Sequence, residues 1–336
     1  MTNNKAWHKK AQELHQEGWS YRAIGRELGK DESVVRRYLN KVRAEIEIFG
    51  EALDKPVESL WDDFSFGGGV GKQKKPSSPR VLFLDIETAP IDGYVWDLWN
   101  NNVSLDQIEK DWYILSWAAK WLGEEDVFYE DKSDTWDNED DLMLLGGIWT
   151  LMNEADIIVT QNGIKFDEKK LNARFIINGF PPPSSYRSVD TLQIAKKHFG
   201  FTSNKLEYMT SKLCKKYKKL THGKYPGFKL WKQCLLGNQE AWTEMYEYNV
   251  HDVLALEELY LILRPWYKSH PNFNVYTDSE ETVCACGNKE FEHSGYHYTN
   301  LGKYDKFKCT ECFAETRGSV NLLPKSKRAT LHRNIM

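Results

Sequence analysis

VLFLDIETA, residues 81–89, is the stretch on which the reading of this chain turns. Side chains alternate across a β-strand, so Val81, Phe83, Asp85 and Glu87 share one face and Leu82, Leu84 and Ile86 the other. Two carboxylates therefore stand side by side at the end of an otherwise apolar strand. At about 4 Å and an effective dielectric of about 20 their repulsion amounts to roughly 4 kcal/mol. A divalent cation resolves that conflict, whereas an exposed strand end would leave two solvated acids.

Two further stretches carry acids of the same kind. In ADIIVTQNGIKFDEKKLNARF, residues 155–175, an apolar strand meets an Asn-Gly turn and a helix follows, with Asp167 at its start. Taken alone, Asp167 also reads as a helix N-cap. In MYEYNVHDVLALEELYLIL, residues 245–263, the apolar spacing marks a helix, and Tyr248 and Asp252, four residues apart, share one face. Alone they also read as a surface hydrogen-bonded pair.

Together the three pieces resemble the DEDD, or DnaQ-like, exonuclease superfamily in its tyrosine subclass, over about residues 80–265. The first motif corresponds to Asp85 and Glu87, the second to Asp167 within NGIKFD, and the third to Tyr248 and Asp252. VDTLQIAKKHF and NKLEYMTSKL match the family's connecting segments, with Asp190 at a commonly acidic position that is not a metal ligand. The resemblance implies an α/β, RNase H-like mixed sheet flanked by helices and a 3′-5′ exonuclease, with two Mg²⁺ or Mn²⁺ ions held by Asp85, Glu87, Asp167 and Asp252. Tyr248 then orients the attacking water, since a phenol with a pKa of about 10 is a poor base at neutral pH. The histidine subclass carries its histidine five residues before the last acid, where Glu247 stands here, so His251 reads as helix surface or as support for the acids.

Net charge is only −4, but it is unevenly spread. Residues 124–141 hold ten acids against one lysine, while residues 205–232 hold nine lysines against one acid. The basic stretch mixes Lys215, Lys216, Lys218, Lys219 and Lys224 with Tyr217, Tyr225, Phe228 and Trp231, a combination that grips phosphates and stacks bases. A solvated helix and loop whose aromatics pack inward is its plainer reading. The acidic block reads as a solvated hairpin and helix entry that keeps DNA away from that side.

At 336 residues the chain has room for a catalytic domain and smaller modules. Residues 1–50 resemble a helix-turn-helix of the resolvase or transposase type, a small all-α domain. Its core would be Leu14, Ile24, Leu28, Val34 and Leu39, and its third helix would present Ser33, Arg36 and Arg37 to DNA. Residues 51–79 read as a flexible linker, residues 80–268 as the exonuclease domain, and residues 324–336 as a flexible tail. Between the last two, residues 279–323 resemble a zinc ribbon, with Cys284, Cys286, Cys309 and Cys312 as structural Zn²⁺ ligands. There C-x-C replaces the usual C-x-x-C, Phe313 stands where glycine is common, and His293 or His297 could substitute for one sulfur. Cys214 and Cys234 are expected to be free thiols.

No apolar run approaches the length of a membrane span and the polar start lacks a secretory signal, which points to a cytoplasmic protein. The expected partner is nucleic acid, DNA above RNA, with no membrane. Two rivals predict other behaviour. A DDE-type transposase or integrase also joins a helix-turn-helix to an RNase H-like core, but D-x-E on the first strand and Y-x-x-x-D on a late helix argue against it. A non-catalytic DNA-binding regulator that keeps the fold would bind DNA without cutting it, and the intact acid set argues against that.

Overall fold

β1 (Val81–Thr88) forms where the alternation places it and is the central strand of a five-stranded sheet. In this computed structural model the residues described are 7, 10–11, 14–15, 19–30, 34–36, 39, 78–99, 101–218 and 223–335. Ser33, Arg37, Lys219 and residues 51–77 of the expected linker lie outside them.

After β1 a short ribbon pairs β2 (Asp92–Gly93) with β3 (Ile108–Lys110) and carries exposed aromatics, Trp96 being 94% accessible. β4 (Ile114–Trp121) runs antiparallel to β1, with Asp85 opposite Ala118 and Glu87 opposite Ser116. β5 (Val127–Asp131) is antiparallel to β4, β6 (Ile157–Thr160) is parallel to β1, and β7 (Arg187–Asp190) is parallel to β6. The spatial order is β5-β4-β1-β6-β7. This is the mixed α/β sheet that the sequence led us to expect.

The two faces of β1 feed two separate cores. Leu82, Leu84 and Ile86 pack with Leu145, Ile148 and Met152 of α2 (Leu142–Glu154) and with Leu171 and Phe175 of α3 (Asp167–Ile177). Val81 and Phe83 pack on the opposite side with Ile194 of α4 (Thr191–His198), Met209 of α5 (Leu206–Leu213) and Val253, Leu256 and Tyr260 of α7 (Gln239–Leu263). α6 (Lys229–Leu235) precedes α7 and buries Leu230 and Cys234 against Trp242 and Met245. Because helices cover both faces, all eight positions of β4 are buried. Lys120 is among them and pairs with Glu257 of α7 at 2.6 Å.

The acidic block forms the expected hairpin and helix entry, with Glu124, Glu125, Asp126, Asp134, Asp137, Glu139 and Asp140 exposed, but it also holds two buried charges. Its one lysine, Lys132, is fully buried, and its ammonium donates to Thr135 Oγ1 at 3.3 Å, Asn138 Oδ1 at 3.1 Å and the carbonyl of Asp140. Asp141, also fully buried, takes a two-pronged bond from Arg174 at 2.7 and 2.8 Å and the N–H of Ile114 at 2.9 Å. Charge counting missed this because a buried cation organises oxygens around itself whatever the surrounding surplus of acid.

Within the first 50 residues α1 (Tyr21–Leu28) starts at Ser20, whose hydroxyl accepts from Ala23 N–H at 3.3 Å, and ends at Gly29 in the left-handed region. Ala11, Leu14, Ile24, Val35 and Leu39 are buried together. Val34, expected in that core, is 39% exposed, because Val35 and Leu39 at four-residue spacing share a helix face and Val34 does not. At the other end β8 (Phe291–Thr299), β9 (Gly302–Cys309) and β10 (Glu315–Arg317) form an antiparallel sheet, followed by α8 (Lys325–Ala329). No helix among the described residues is long and apolar enough to cross a membrane.

Candidate active site

Strand alternation brings Asp85 and Glu87 out together at the acid end of β1, both half-buried. Asp167 reaches them from the other side of the β1–β6 pair. It is the first residue of α3 rather than its N-cap, a position held by Phe166, and it is 3% exposed. Its Oδ1 accepts the Ile86 N–H at 3.1 Å, so its carboxylate is tied to β1 between the two other acids.

The turn that delivers Asp167 is shaped by Asn162 and Gly163. Asn162 adopts φ 72°, and a Cβ on Gly163 would lie 2.2 Å from Thr160 Oγ1. Asp190 braces this turn: its Oδ1 accepts from Asn162 N–H at 2.9 Å and from Leu192 and Gln193 N–H at the start of α4. Those bonds account for an acid at that position that is not a metal ligand.

α7 supplies the remaining groups. Tyr248 and Asp252 stand one turn apart, hydrogen-bonded to each other. Between them Asn249 is fully buried and donates to Asp85 Oδ2 at 2.6 Å, while its own oxygen accepts from Ser116 Oγ at 3.1 Å. A fourth element also reaches in: Trp231 Nε1 of α6 donates to Glu87 Oε2 at 3.2 Å, and its ring meets that of Tyr248 edge-on at 6.1 Å.

Electrostatics set these acids apart from ordinary surface carboxylates. Burial pushes Asp85 well above the usual carboxylate range, and repulsion from Asp167, Glu87 and Asp252 pushes it further. Glu87 is raised to about 8 by burial and then by Asp252 and Asp167. Burial raises Asp167 to about 7 against the opposing pull of backbone N–H groups. The charges that bear on Asp85 are thus other carboxylates, and hard oxygen donors in such a cluster suit Mg²⁺ or Mn²⁺. Tyr248 is also raised above its usual value, by burial and then by Asp252, Glu87 and Asp85, so its proton stays on the phenol at neutral pH.

A family model for the RNase H superfamily matches residues 82–264, more than half of the chain and all the residues just described. The chain belongs to the RNase H superfamily. That membership supports hydrolysis of nucleic acid as the general class of activity, and members of this superfamily typically use divalent metals. No curated protein sequence matches the chain. Among solved structures it is similar to the family B DNA polymerase of the hyperthermophilic archaeon Pyrobaculum calidifontis, at 16% identity and a TM-score of 0.40, over 56% of this chain and 25% of the polymerase.

In this RNase H-like domain the lysine-rich segment runs between α5 and α6 and is strapped to α7 at both ends. The N–H groups of Lys215, Lys216 and Tyr217 converge on the Glu258 carboxylate at 2.6 to 3.2 Å. Those of Gly223, Lys224 and Tyr225 converge on Glu244 at 2.9 to 3.3 Å. Partial burial would raise Glu258, but the three amides outweigh it and hold its carboxyl below the usual range. Lys215, Lys216, Lys218 and Lys224 are exposed, and the Lys224 ammonium pairs with Glu240. Of the two readings of its aromatics, Trp231 follows the inward one and turns to Glu87. His251 supports the segment, its half-buried ring 6.1 Å from that of Tyr217. Arg36 of the N-terminal module pairs with Asp126 of the acidic block at 2.9 Å, a surface contact worth about 0–1 kcal/mol.

The four cysteines meet as their spacing suggests. All four Sγ atoms lie within 4.8 Å of one another, with Cys284 to Cys312 at 3.6 Å and Cys286 to Cys309 at 3.7 Å. Four thiolates at about 2.3 Å from a tetrahedral Zn²⁺ stand about 3.8 Å apart, so the donor set fits that ion. Among the described residues this is the one group of three or more such side chains drawn so close; the carboxylates form a more open set. Phe313 adopts φ 63°, the left-handed conformation for which glycine is the usual choice, and so accommodates the departure noted in the sequence. His293 pairs with Asp305 at 3.1 Å, and neither it nor His297 belongs to the cluster.

Proposed function

We propose that the protein is a two-metal-ion 3′-5′ exonuclease of the DEDD tyrosine subclass, acting on DNA. The observation that carries this reading is the convergence of Asp85, Glu87 and Asp167 with Asp252 in a half-buried cluster whose members raise one another's pKa, beside a protonated Tyr248. Asp85, Glu87, Asp167 and Asp252 would hold a pair of Mg²⁺ or Mn²⁺ ions, whose chemistry there would be to acidify the attacking water and to stabilise charge on the leaving 3′ oxygen.

The side chains do the positioning. Asp167 is fixed by Ile86 N–H and Asp85 by Asn249, so the carboxylates are set before substrate arrives. Tyr248, bonded to Asp252, orients the water through its hydroxyl without taking a proton. Lys215, Lys216 and Lys218, exposed beside Glu258 of the same helix, grip phosphates of the bound strand. The N-terminal helix-turn-helix, through Arg36 and its neighbours Ser33 and Arg37, directs the nuclease to DNA, and the four cysteines hold one structural Zn²⁺.

The test is to incubate the purified protein with 5′-labelled single-stranded and duplex DNA and RNA in Mg²⁺, Mn²⁺ or EDTA. A ladder shortening from the 3′ end, lost in EDTA and in Asp85→Ala and Asp252→Ala, is the expected result. Cleavage that survives both substitutions would overturn the assignment.

A further inference from the structure

Trp231 makes contacts that none of its neighbours in the basic stretch makes. It is half-buried at the start of α6, yet its indole N–H bonds Glu87 of β1 and its ring packs edge-on against Tyr248 of α7. A single side chain thus touches two of the three motifs of the candidate site. A carboxylate crowded by other acids and offered one neutral donor has its orientation set by that donor. Rotation of the Trp231 ring would move Glu87 and open space beside Tyr248 together.

Trp231 packs with the core between α6 and α7, and the chain that leads into α6 is itself tied to α7. Glu258 and Glu244 each gather three successive backbone amides, at residues 215–217 and 223–225, and both acids project from the same helix that carries Tyr248. Glu244, Tyr248, His251 and Glu258 recur at three-, four- and seven-residue steps, so the two anchoring acids and Tyr248 share one stripe of α7. A Cβ at Gly223 would stand 2.9 Å from Glu244 Oε2, so a larger residue there would displace the anchoring carboxylate. From this anchor the chain runs directly through Phe228 into α6 and Trp231.

We propose that Trp231 is a positioning residue that links the phosphate-gripping segment to the metal-holding acids, fixing Glu87 and Tyr248 through the Glu244 anchor. This rests on the nuclease reading given above. Occupancy of the lysines by a nucleic acid then steadies the same segment that orients Glu87.

Three measurements on the full chain test the link. Trp231→Phe keeps a ring and removes the N–H; its affinity for a labelled oligonucleotide in EDTA should match that of the original protein. Its Mn²⁺ affinity by calorimetry and its kcat at saturating metal should each fall about ten-fold, the lower end for residues that orient metal ligands. Combined Lys215→Ala, Lys216→Ala and Lys218→Ala substitution should do the reverse, weakening the oligonucleotide and sparing Mn²⁺ binding. Glu244→Ala should lower kcat when Trp231 is present and cause no further drop in a Trp231→Phe background, since the anchor acts through that residue.

Unchanged Mn²⁺ affinity in Trp231→Phe, or loss of oligonucleotide affinity in step with kcat, overturns the proposal, as does an additive loss in the double variant. Should Trp231→Phe fold poorly by circular dichroism, Glu244→Ala alone decides, and wild-type Mn²⁺ affinity there counts against the link. Mn²⁺ binding is read without cleavage, so a protein that binds the ion but cuts nothing would sink the nuclease reading while leaving this comparison intact.

Discussion

Asn249 Nδ2 sits 2.6 Å from Asp85 Oδ2, and its Oδ1 accepts the Ser116 hydroxyl at 3.1 Å, so one buried amide ties α7 to β1 and β4 at the foot of the acid cluster. An amide suits that place for two reasons. It supplies the donor that favours ionised Asp85 and adds no charge to a site that already holds four acids.

Asn249→Asp should therefore be worse than Asn249→Ala. Alanine leaves Ser116 and Asp85 each without a partner, at a cost of about 1–3 kcal/mol. Aspartate keeps the shape and sets a fifth carboxylate against Asp85. Thermal unfolding in EDTA at neutral pH should rank the proteins wild type, Ala, then Asp. Equal stability for Asn249→Asp and wild type would show that Asp85 does not feel that neighbour.

The raised acids predict how stability depends on pH without metal. Glu87 at about 8 and Asp167 at about 7 lie above their unfolded values of about 4.3 and 3.9, so protons bind the folded state more tightly. Their contribution is present in full below those unfolded values and is lost as pH rises through 7 and 8. Melting temperature in EDTA should fall between about pH 5 and pH 8 and level off above that, most of this being a window in which ordinary carboxylates have already ionised. Asp85→Asn should raise it and flatten the slope. Metal ions compete with those protons, so the Mn²⁺-induced rise in melting temperature should grow with pH. A metal-free protein that grows more stable over this range would contradict the repulsion inferred for the cluster.

The zinc reading has its own consequence. Burial raises Cys284 above the usual thiol range, while for Cys309 burial is outweighed by the Asn288 amide and by backbone N–H groups, which bring it down to about 6. We expect elemental analysis to find one Zn²⁺ per chain, and Cys284→Ser or Cys312→Ser to lose it. A chelator should unfold residues 279–323 at a concentration that leaves the main sheet intact. Protein free of zinc that keeps native hydrogen-exchange protection in β8 and β9 would show the cluster to be four plain thiols.

The sheet and the acids were legible in the sequence because strand alternation and helical spacing are local. Val81 and Phe83 on one face, Leu82 and Leu84 on the other, and Tyr248 four residues before Asp252 all follow from short-range geometry. Asn249 and Trp231 were not legible, since each matters through a partner distant in the chain, whereas Lys132 meets oxygens within eight residues of itself and was missed because a charge count does not register burial. Trp231 and Glu87 are 144 residues apart, and Asn249 and Asp85 are 164 apart. A tryptophan among lysines fits a base-stacking surface and an inward-packed ring equally well, and only the tertiary fold shows that its partners are Glu87 and Tyr248. Val34 and Val35 teach a smaller lesson, because adjacent identical residues differ only in helical phase.

The lysines offer the last prediction. Each phosphate contact made by a cation on a single strand releases condensed counterions and adds about 0.7 to the slope of log affinity against log salt. Lys215, Lys216 and Lys218 are exposed beside the Glu258 anchor, so each alanine substitution should lower the slope by about that amount and weaken all sequences alike. Lys224 differs, because its ammonium already pairs with Glu240 and a phosphate must first displace that acid. Lys224→Ala should therefore change the slope less than its neighbours do, while Glu240→Gln should raise oligonucleotide affinity by freeing the lysine. Salt titrations of anisotropy in EDTA measure both. Identical slopes for all four alanine variants and wild type would place the nucleic acid elsewhere on the protein.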